Sequence, residues 1–159
     1  MTFRIRVDLA RQRLALEEDG RTRSVYAVST SKHGAGEERD SLKTPRGRHI
    51  VRAKIGAGAR LGTVFAGRRP TGEVYSPGLA AAHPGLDFIL TRILWLSGLE
   101  PGRNRFGAVD SMSRYIYIHG VPDTEPMGIP ASRGCIRMRN TEIVELFDLV
   151  APGTLVDIH

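Results

Sequence analysis

The sequence predicts a mainly β domain with one or two short helices, and three observations support that class. Apolar residues alternate with polar ones at the two-residue period of half-buried strands. Glycines and prolines separate these stretches, as turns separate the strands of all-β proteins. One late stretch has the three-to-four spacing of an amphipathic helix. Since neither a linker nor a repeat divides the 159 residues, we expect one domain, 1–159.

The strands follow one another along most of the chain. "FRIRVDL" places Phe3 and Val7 on one face of a first strand, and Asp19-Gly20 favours a tight hairpin turn between the next two. A Pro-containing turn opens "KTPRGRHIVRAKI", which continues as a strand. The runs "TRILWLSG" and "SRYIYIHG" are apolar, branched or aromatic, which favours buried strands.

The late helix begins near residue 140. Asn140 is a good N-cap residue, and Glu142 suits the positive end of the helix dipole. The apolar residues that follow fall on one face, and Pro152-Gly153 ends the helix. "TLVDI" then closes the chain as a strand.

Composition narrows the class further. Hydrophobic residues make up 41% and charged residues 25%, which is ordinary for a soluble globular protein. No apolar run is long enough to cross a membrane, and the alternating start does not resemble a secretory leader. We therefore expect a cytoplasmic protein without a membrane partner, or a periplasmic or cell-wall protein if a leader was removed. The single cysteine excludes an internal disulfide and leaves a free thiol.

The net charge of +6 comes from basic residues in the first half of the chain. Such an excess can indicate nucleic-acid binding. The arginines are scattered, however, and few aromatics lie between them, so no stacking platform is visible. A solvated basic surface is the favoured interpretation. A basic β domain that binds nucleic acid and has a structural cysteine is kept as the alternative.

Cys135 is the first candidate for chemistry, although a lone cysteine is more often a small buried hydrophobe. Gly134 precedes it, and the two successive amides of Gly134 and Cys135 could form an oxyanion hole. In an extended segment Arg137 lies on the same face as Cys135. A guanidinium there would favour the thiolate and could bind a substrate carboxylate.

His119 is the matching candidate base, although a histidine at a strand end can be purely structural. Proline and glycine in the segment between His119 and Cys135 favour a loop that could bring the two side chains together. No acidic residue is an obvious third member, so a backbone carbonyl could orient the imidazole instead. The remaining histidines lack ligand spacing, which predicts surface positions and no metal or cofactor; they are His33, His49, His83 and His159.

The stretch "HGVPDTEPMGIPASRGCIRM" resembles the signature of the L,D-transpeptidase catalytic-domain (YkuD-like) family. That signature is His-Gly, a spacer, then Ser/Thr-His-Gly-Cys-apolar-Arg, with Asn soon after. The residues that match are Ser132, Gly134, Cys135, Ile136, Arg137 and Asn140. Thr44, Pro45 and Gly47 also resemble a family turn. Arg133 stands where the family usually has a second histidine, and it adds a cation that should favour the thiolate.

The resemblance implies an L,D-transpeptidase-like β-sandwich or barrel that needs no cofactor. It also implies a Cys135 thioester on the tetrapeptide stem of peptidoglycan, with His119 as base and the Gly120 carbonyl fixing the imidazole. Further residues are then expected to bind substrate: Arg137, Ser132, Arg133, Tyr117 and Asn140. A carbapenem would be a covalent inhibitor. We expect a cytosolic L,D-carboxypeptidase, with an exported L,D-transpeptidase that forms 3–3 cross-links as the alternative.

Overall fold

The computed structural model describes residues 2–159, in which ten strands join in one sheet. The strands are β1 Phe3–Asp8, β2 Arg13–Glu18, β3 Arg21–Ala27, β4 Gly47–Ile55, β5 Thr63–Ala66, β6 Arg69–Val74, β7 Ile89–Gly98, β8 Tyr117–Gly120, β9 Ile136–Met138 and β10 Leu155–Ile158. The helices are α1 Pro77–Ala82 and α2 Asn140–Leu149, and a short 3-10 turn covers Gly107–Val109. The mainly β class with two short helices confirms the prediction.

The strand order brings the sheet back on itself. Hydrogen-bonded neighbours run β3-β2-β1-β10-β4-β7-β5-β6, and β8 joins β7 to β9. The chain just after β3 then meets β9 at a bridge between Ser29 and Arg137, with backbone hydrogen bonds of 3.0 and 2.9 Å in the two directions. This bridge closes a ring of strands, which explains why a sandwich or barrel describes the fold.

The local sequence accounts for the first strands. In β1, Ile5 and Val7 are fully buried while Arg6 between them is exposed, as strand alternation requires. The turn from β2 to β3 has Asp19 at φ 51° and Gly20 at φ 80°. Two successive residues with positive φ define the turn that matches the twist of a hairpin.

Helix α2 packs against β7 and β8 through Ile143, Leu146 and Phe147, all buried. Asn140 was expected to cap this helix, but Arg139 occupies the N-cap and makes no side-chain capping bond. The Asn140 side chain bonds elsewhere, as described below. Helix α1 has a capping Ser76 and no buried residue. Neither helix is both long and apolar enough to span a membrane.

Two apolar clusters lie on opposite sides of β8 and β9. The main core includes Ile118, Ile136 and the buried face of α2. On the other side, Phe65, Ile93 and Tyr117 form a small cluster that Cys135 packs against. The candidate site lies on this second side.

Candidate active site

Two short parallel strands hold the candidate nucleophile and base. In the pairing of β8 with β9, His119 lies opposite Arg137. Cys135 directly precedes β9, so the same register continues to Tyr117 opposite Cys135. Because side chains alternate between the faces of a sheet, all four point to the same side. His119 and Cys135 are thus diagonal neighbours on two adjacent strands.

Backbone groups hold the sulfur of Cys135 from two directions. The Tyr117 amide donates to Sγ at 3.3 Å, and Sγ donates to the Tyr115 carbonyl at 3.3 Å. Both tyrosines belong to the segment that leads into His119. The thiol therefore has a fixed orientation relative to the strand that holds the candidate base.

His119 is buried, and its ring has a defined tautomer. Nδ1 lies 2.7 Å from the Gly120 carbonyl oxygen, which only a protonated Nδ1 can satisfy. Nε2 then has the lone pair that can take a proton. Burial lowers the pKa of His119 below its ordinary 6.5, an effect that the Gly120 carbonyl partly offsets. The imidazole is therefore neutral at neutral pH.

Burial opposes the thiolate that the nearby cations were expected to favour at Cys135. Burial is the largest influence and raises the pKa of Cys135 to about 12, although the Tyr117 amide and nearby guanidinium groups lower it. Those cations are Arg137 and Arg114, while Arg133 is exposed and does not contribute. Thiol and imidazole are both neutral at rest, so removal of the thiol proton must accompany attack.

Two buried hydroxyls fix the backbone of Gly134 and Cys135. Ser132 Oγ donates to the Cys135 carbonyl at 2.6 Å and accepts from the Gly134 amide at 3.2 Å. Thr44 Oγ1 donates to the Gly134 carbonyl at 3.0 Å and accepts from the Ser31 amide at 3.0 Å. Ser132 is only 1% exposed, so the structure gives it a positioning role instead of the expected contact with substrate.

The expected oxyanion hole is only partly available. The Gly134 amide is occupied by Ser132 Oγ. Within residues 2–159 the Cys135 amide makes no hydrogen bond, so it is the donor free to hold a developing oxyanion.

Arg137 is held within an acidic pair. Its side chain is 8% exposed, with Nη2 2.7 Å from Asp87 Oδ1 and Nη1 3.5 Å from Glu125 Oε2. Asp87 also raises the pKa of both Cys135 and His119 through its charge. Arg137 is thus partly neutralised by its partners and anchors the loop segment before β7, which contains Asp87, beside the site.

Asn140 supports the end of β8 from the inside. Its Nδ2 donates to the Val121 carbonyl at 2.8 Å, and Thr91 Oγ1 donates to its Oδ1 at 2.6 Å. The side chain lies so close to Gly120 that a Cβ on that glycine would overlap it. Asn140 was expected to bind substrate, but it is buried and positions the Gly120 carbonyl that orients His119.

A strained bulge lies opposite the same strand end. Between Leu90 and Ile93 the register of β7 against β8 shifts, which leaves Thr91 and Arg92 as extra residues across from His119. Thr91 has φ 75°, a conformation that β-branched residues rarely adopt. Bulges of this kind redirect side chains near functional sites.

Tyr117 and Arg133 are the last two expected substrate contacts. Tyr117 is only 5% exposed and packs in the small cluster, and its hydroxyl accepts from Arg68 Nη1 at 3.1 Å. Arg133 lines an open groove of about 240 Å³ together with Arg114 and Tyr115. Arg133 alone of the two therefore presents its side chain to a ligand-accessible surface.

Several residues of the site had no recognised signal in the sequence. Asp87 lies in the loop before β7, far from both motifs in sequence, and only the fold brings it to Arg137. Arg114 was taken as part of a strand, but β8 begins only at Tyr117. Tyr115 could have been found, since it precedes Tyr117 and His119 at the same two-residue spacing.

The other histidines do not form a site. His33, His83 and His159 are exposed as expected. His49 was expected at the surface, which is wrong: it is fully buried, with Nε2 2.8 Å from Ser111 Oγ and Nδ1 3.0 Å from the Gly47 carbonyl. Within residues 2–159, no three His, Cys, Asp or Glu side chains cluster as a metal site requires.

Acidic residues neutralise part of the basic excess. Arg4, Arg6, Arg23 and Arg46 each form an ion pair with a carboxylate. A nucleic-acid surface needs cations free to meet phosphates. These four arginines are therefore not free to meet phosphates.

The fold and the site define a β protein that presents a cysteine and a histidine from adjacent strands. The model of the L,D-transpeptidase catalytic domain (YkuD) matches residues 2–158, and the chain belongs to that family. The chain is also 45% identical over 49 residues to YkuD of Bacillus licheniformis, named as an L,D-transpeptidase. That alignment covers 30% of this chain and 30% of the relative.

Solved structures share the fold at low sequence identity. L,D-transpeptidase 3 from Mycobacterium tuberculosis, in complex with a faropenem-derived adduct, has a TM-score of 0.62 at 14% identity and covers 99% of this chain and 60% of its own. A cysteine-to-serine mutant of Enterococcus faecium L,D-transpeptidase has a TM-score of 0.59 at 17% identity and covers 100% and 50%. The chain thus spans about a third of its curated relative and between half and three fifths of these solved chains.

Proposed function

We propose that the chain is a cysteine acyl-transfer enzyme that cleaves the L,D bond before the terminal D-alanine of peptidoglycan tetrapeptide stems. The observation that carries this proposal is the joint placement of Cys135 and His119 on one face of two adjacent strands. The Gly120 carbonyl bound to Nδ1 adds support, because it leaves Nε2 as the proton acceptor. Family membership supplies the substrate class.

The reaction proceeds through a thioester. As Cys135 Sγ attacks the carbonyl carbon of the third stem residue, its proton passes to His119 Nε2, and the Cys135 amide holds the oxygen of the tetrahedral intermediate. The intermediate collapses when the bond to the D-alanine nitrogen breaks. His119 returns the proton to that nitrogen, so D-alanine leaves as a neutral amine and the acyl group stays on sulfur.

The acceptor of the acyl group decides the product. Water attacks the thioester carbonyl and gives a proton to His119. The C–S bond then breaks, His119 returns the proton to Cys135 Sγ, and a tripeptide is released, which is L,D-carboxypeptidase activity. The amine of a second stem gives a 3–3 cross-link instead. We place hydrolysis first, as a cytosolic step in peptidoglycan recycling. An exported transpeptidase is the second candidate, and it would act outside the membrane, where polymerised wall is available for cross-linking.

A β-lactam belongs to the same proposal. Its strained ring presents a carbonyl that Cys135 can attack by the same steps, with the opened ring remaining on sulfur. The faropenem-derived adduct on the M. tuberculosis relative is consistent with such a reaction. A carbapenem is therefore expected to act as a covalent inhibitor.

Product analysis on a defined disaccharide-tetrapeptide tests the function. The wild-type chain should release D-alanine and leave disaccharide-tripeptide, and Cys135→Ser should form neither product. Cross-linked dimers without tripeptide would reverse the order of the two activities. An intact tetrapeptide, with salt-sensitive binding to DNA instead, would favour the nucleic-acid alternative and its structural cysteine.

A further inference from the structure

Three aromatic rings form a cage beside Cys135. The Trp95 ring centroid lies 6.1 Å from that of Tyr115 and 6.0 Å from that of Tyr117, with interplanar angles of 44° and 87°. Tyr115 is 51% exposed, so the cage opens to the surface on its side. We call these three residues the aromatic cage.

The aromatic cage is directly connected to the sulfur. Two of its members provide the backbone groups that bond Cys135 Sγ, namely the Tyr117 amide and the Tyr115 carbonyl. Trp95 and Tyr117 also share the small apolar cluster with Cys135, so the cage lies beside the reacting atom. This placement suits a side chain of a substrate whose carbonyl lies at the sulfur.

A cation of the chain itself occupies the aromatic cage. The Arg68 guanidinium carbon lies 4.8 Å from the Trp95 centroid and 4.8 Å from the Tyr115 centroid, and Nη1 donates to the Tyr117 hydroxyl at 3.1 Å. Aromatic faces attract cations because their quadrupole is negative above the ring. No carboxylate of residues 2–159 pairs with Arg68, so the rings and one phenol oxygen are its charge partners.

Arg68 can leave the cage without exposing the core. It lies at the turn between β5 and β6, where Ala66, Gly67 and Arg69 are all exposed. Every residue of β6 is exposed as well. Movement of this hairpin tip would break one side-chain hydrogen bond and the ring contacts, while buried Phe65 stays in place.

We propose that the aromatic cage is a cation subsite of the Cys135 cleft, filled by Arg68 at rest and by an alkylammonium group of the substrate during turnover. A ligand of this class satisfies the same rings without a counter-ion. The substrate half of this inference rests on the proposed acyl transfer. The cation-binding half does not.

The cage has a spectroscopic reporter, because Trp95 is the only tryptophan of the chain. In Arg68→Ala, titration with n-butylammonium chloride should give a saturable change in tryptophan fluorescence. Its half-saturation concentration should be at least tenfold lower than in wild type. n-Butanol and sodium chloride should give no saturable change. Arg69→Ala, from the same hairpin tip, is the matched control and should behave as wild type.

A second variant keeps the test decisive. Tyr115→Leu, at an exposed position, should abolish the response when combined with Arg68→Ala, and Arg68→Lys should retain the wild-type response. An Arg68→Ala chain with a normal circular dichroism spectrum that responds no more strongly than Arg69→Ala would overturn the cation subsite. So would an equal response to n-butanol.

The substrate half has its own readout. Acetylation of the side-chain amine at the third stem residue should raise the KM of wild type at least tenfold, and should have little effect on Arg68→Ala with Tyr115→Leu. An unchanged wild-type KM would refute the subsite's role in turnover. A chain inactive on every stem peptide would refute the proposed function, and the fluorescence titration would still decide the cage.

Discussion

Alkylation of Cys135 by iodoacetamide should be slow at neutral pH and should keep accelerating far into the alkaline range. Burial raises the pKa of this thiol to about 12, whereas an unburied cysteine titrates near about 8.5. At about pH 7.5 the reactive thiolate is then roughly 3000-fold scarcer than in an unburied cysteine. A more basic thiolate is a stronger nucleophile, which recovers about 30-fold, so the expected net rate is about 100-fold slower.

The assay is intact-mass spectrometry of samples quenched over time from about pH 7 to pH 10. Because the chain has one cysteine, each added label reports Cys135 alone. In the folded chain the logarithm of the rate should rise by about one per pH unit throughout this range. The same chain unfolded in urea is the control, and its rate should level off above about pH 9.

A plateau at or below neutral pH in the folded chain would refute this reasoning. It would mean that a thiolate–imidazolium pair already exists at rest. His119 would then start the reaction as a cation and could not act as the base for the thiol proton.

Three further perturbations and one pH profile test the supporting parts of the site. Since its folded pKa is raised, Cys135 stabilises the fold below about pH 8.5 and loses that contribution as the pH rises. In urea melts, the free energy of unfolding of wild type should therefore fall by about 2 kcal/mol more than that of Cys135→Ser between about pH 8 and 10. Equal losses in the two chains would contradict the raised pKa of Cys135. Ser132→Ala, which removes the hydroxyl on the Cys135 carbonyl, should lower the unfolding free energy by about 1–3 kcal/mol and slow acylation by a carbapenem; an unchanged rate would remove its positioning role. Gly120→Ala should lower the free energy of unfolding, measured by thermal denaturation, by about 1–3 kcal/mol, because the new Cβ overlaps Asn140. An unchanged stability would show that Asn140 does not pack tightly against Gly120. The pH profile of carbapenem acylation should fall only below about pH 6.5, where His119 becomes protonated, and an alkaline limb near pH 8.5 would point to direct titration of the thiol instead.

Strands could be predicted from the sequence because the alternation of apolar and polar residues is a local pattern. In β1 the alternation of Ile5, Arg6 and Val7 is the same pattern that the fold buries and exposes. Asp19-Gly20 was enough to predict the hairpin turn, because aspartate and glycine tolerate the positive φ values that this turn requires. The Gly-Cys-x-Arg run and the His-Gly pair were recognisable because their signals lie in neighbouring residues. A glycine lets the backbone come close to a ligand, and strand alternation places Cys135 and Arg137 on one face.

What the sequence could not give depends on distant parts of the chain. Arg133 and Arg137 beside Cys135 suggested a thiolate, but desolvation of the thiol outweighs the nearby cations, and no local sequence pattern predicts desolvation. Asp87 reaches Arg137 only through the fold. His49 lies on the same face of β4 as buried Val51, and the segment with Ser111 covers it. Asn140 has the chemistry of a helix cap, but buried Thr91 and the Val121 carbonyl compete for its side chain.

The most direct test of a thioester chemistry based on Cys135 and His119 is the intact mass of the chain after incubation with imipenem at neutral pH. We predict that wild type gains the mass of one imipenem, that peptide mapping locates it on Cys135, and that His119→Ala slows this gain by about 10²–10⁴-fold. Cys135→Ser should gain nothing. A wild-type chain that stays unmodified, or a His119→Ala chain that reacts at the wild-type rate, would contradict the role of this pair.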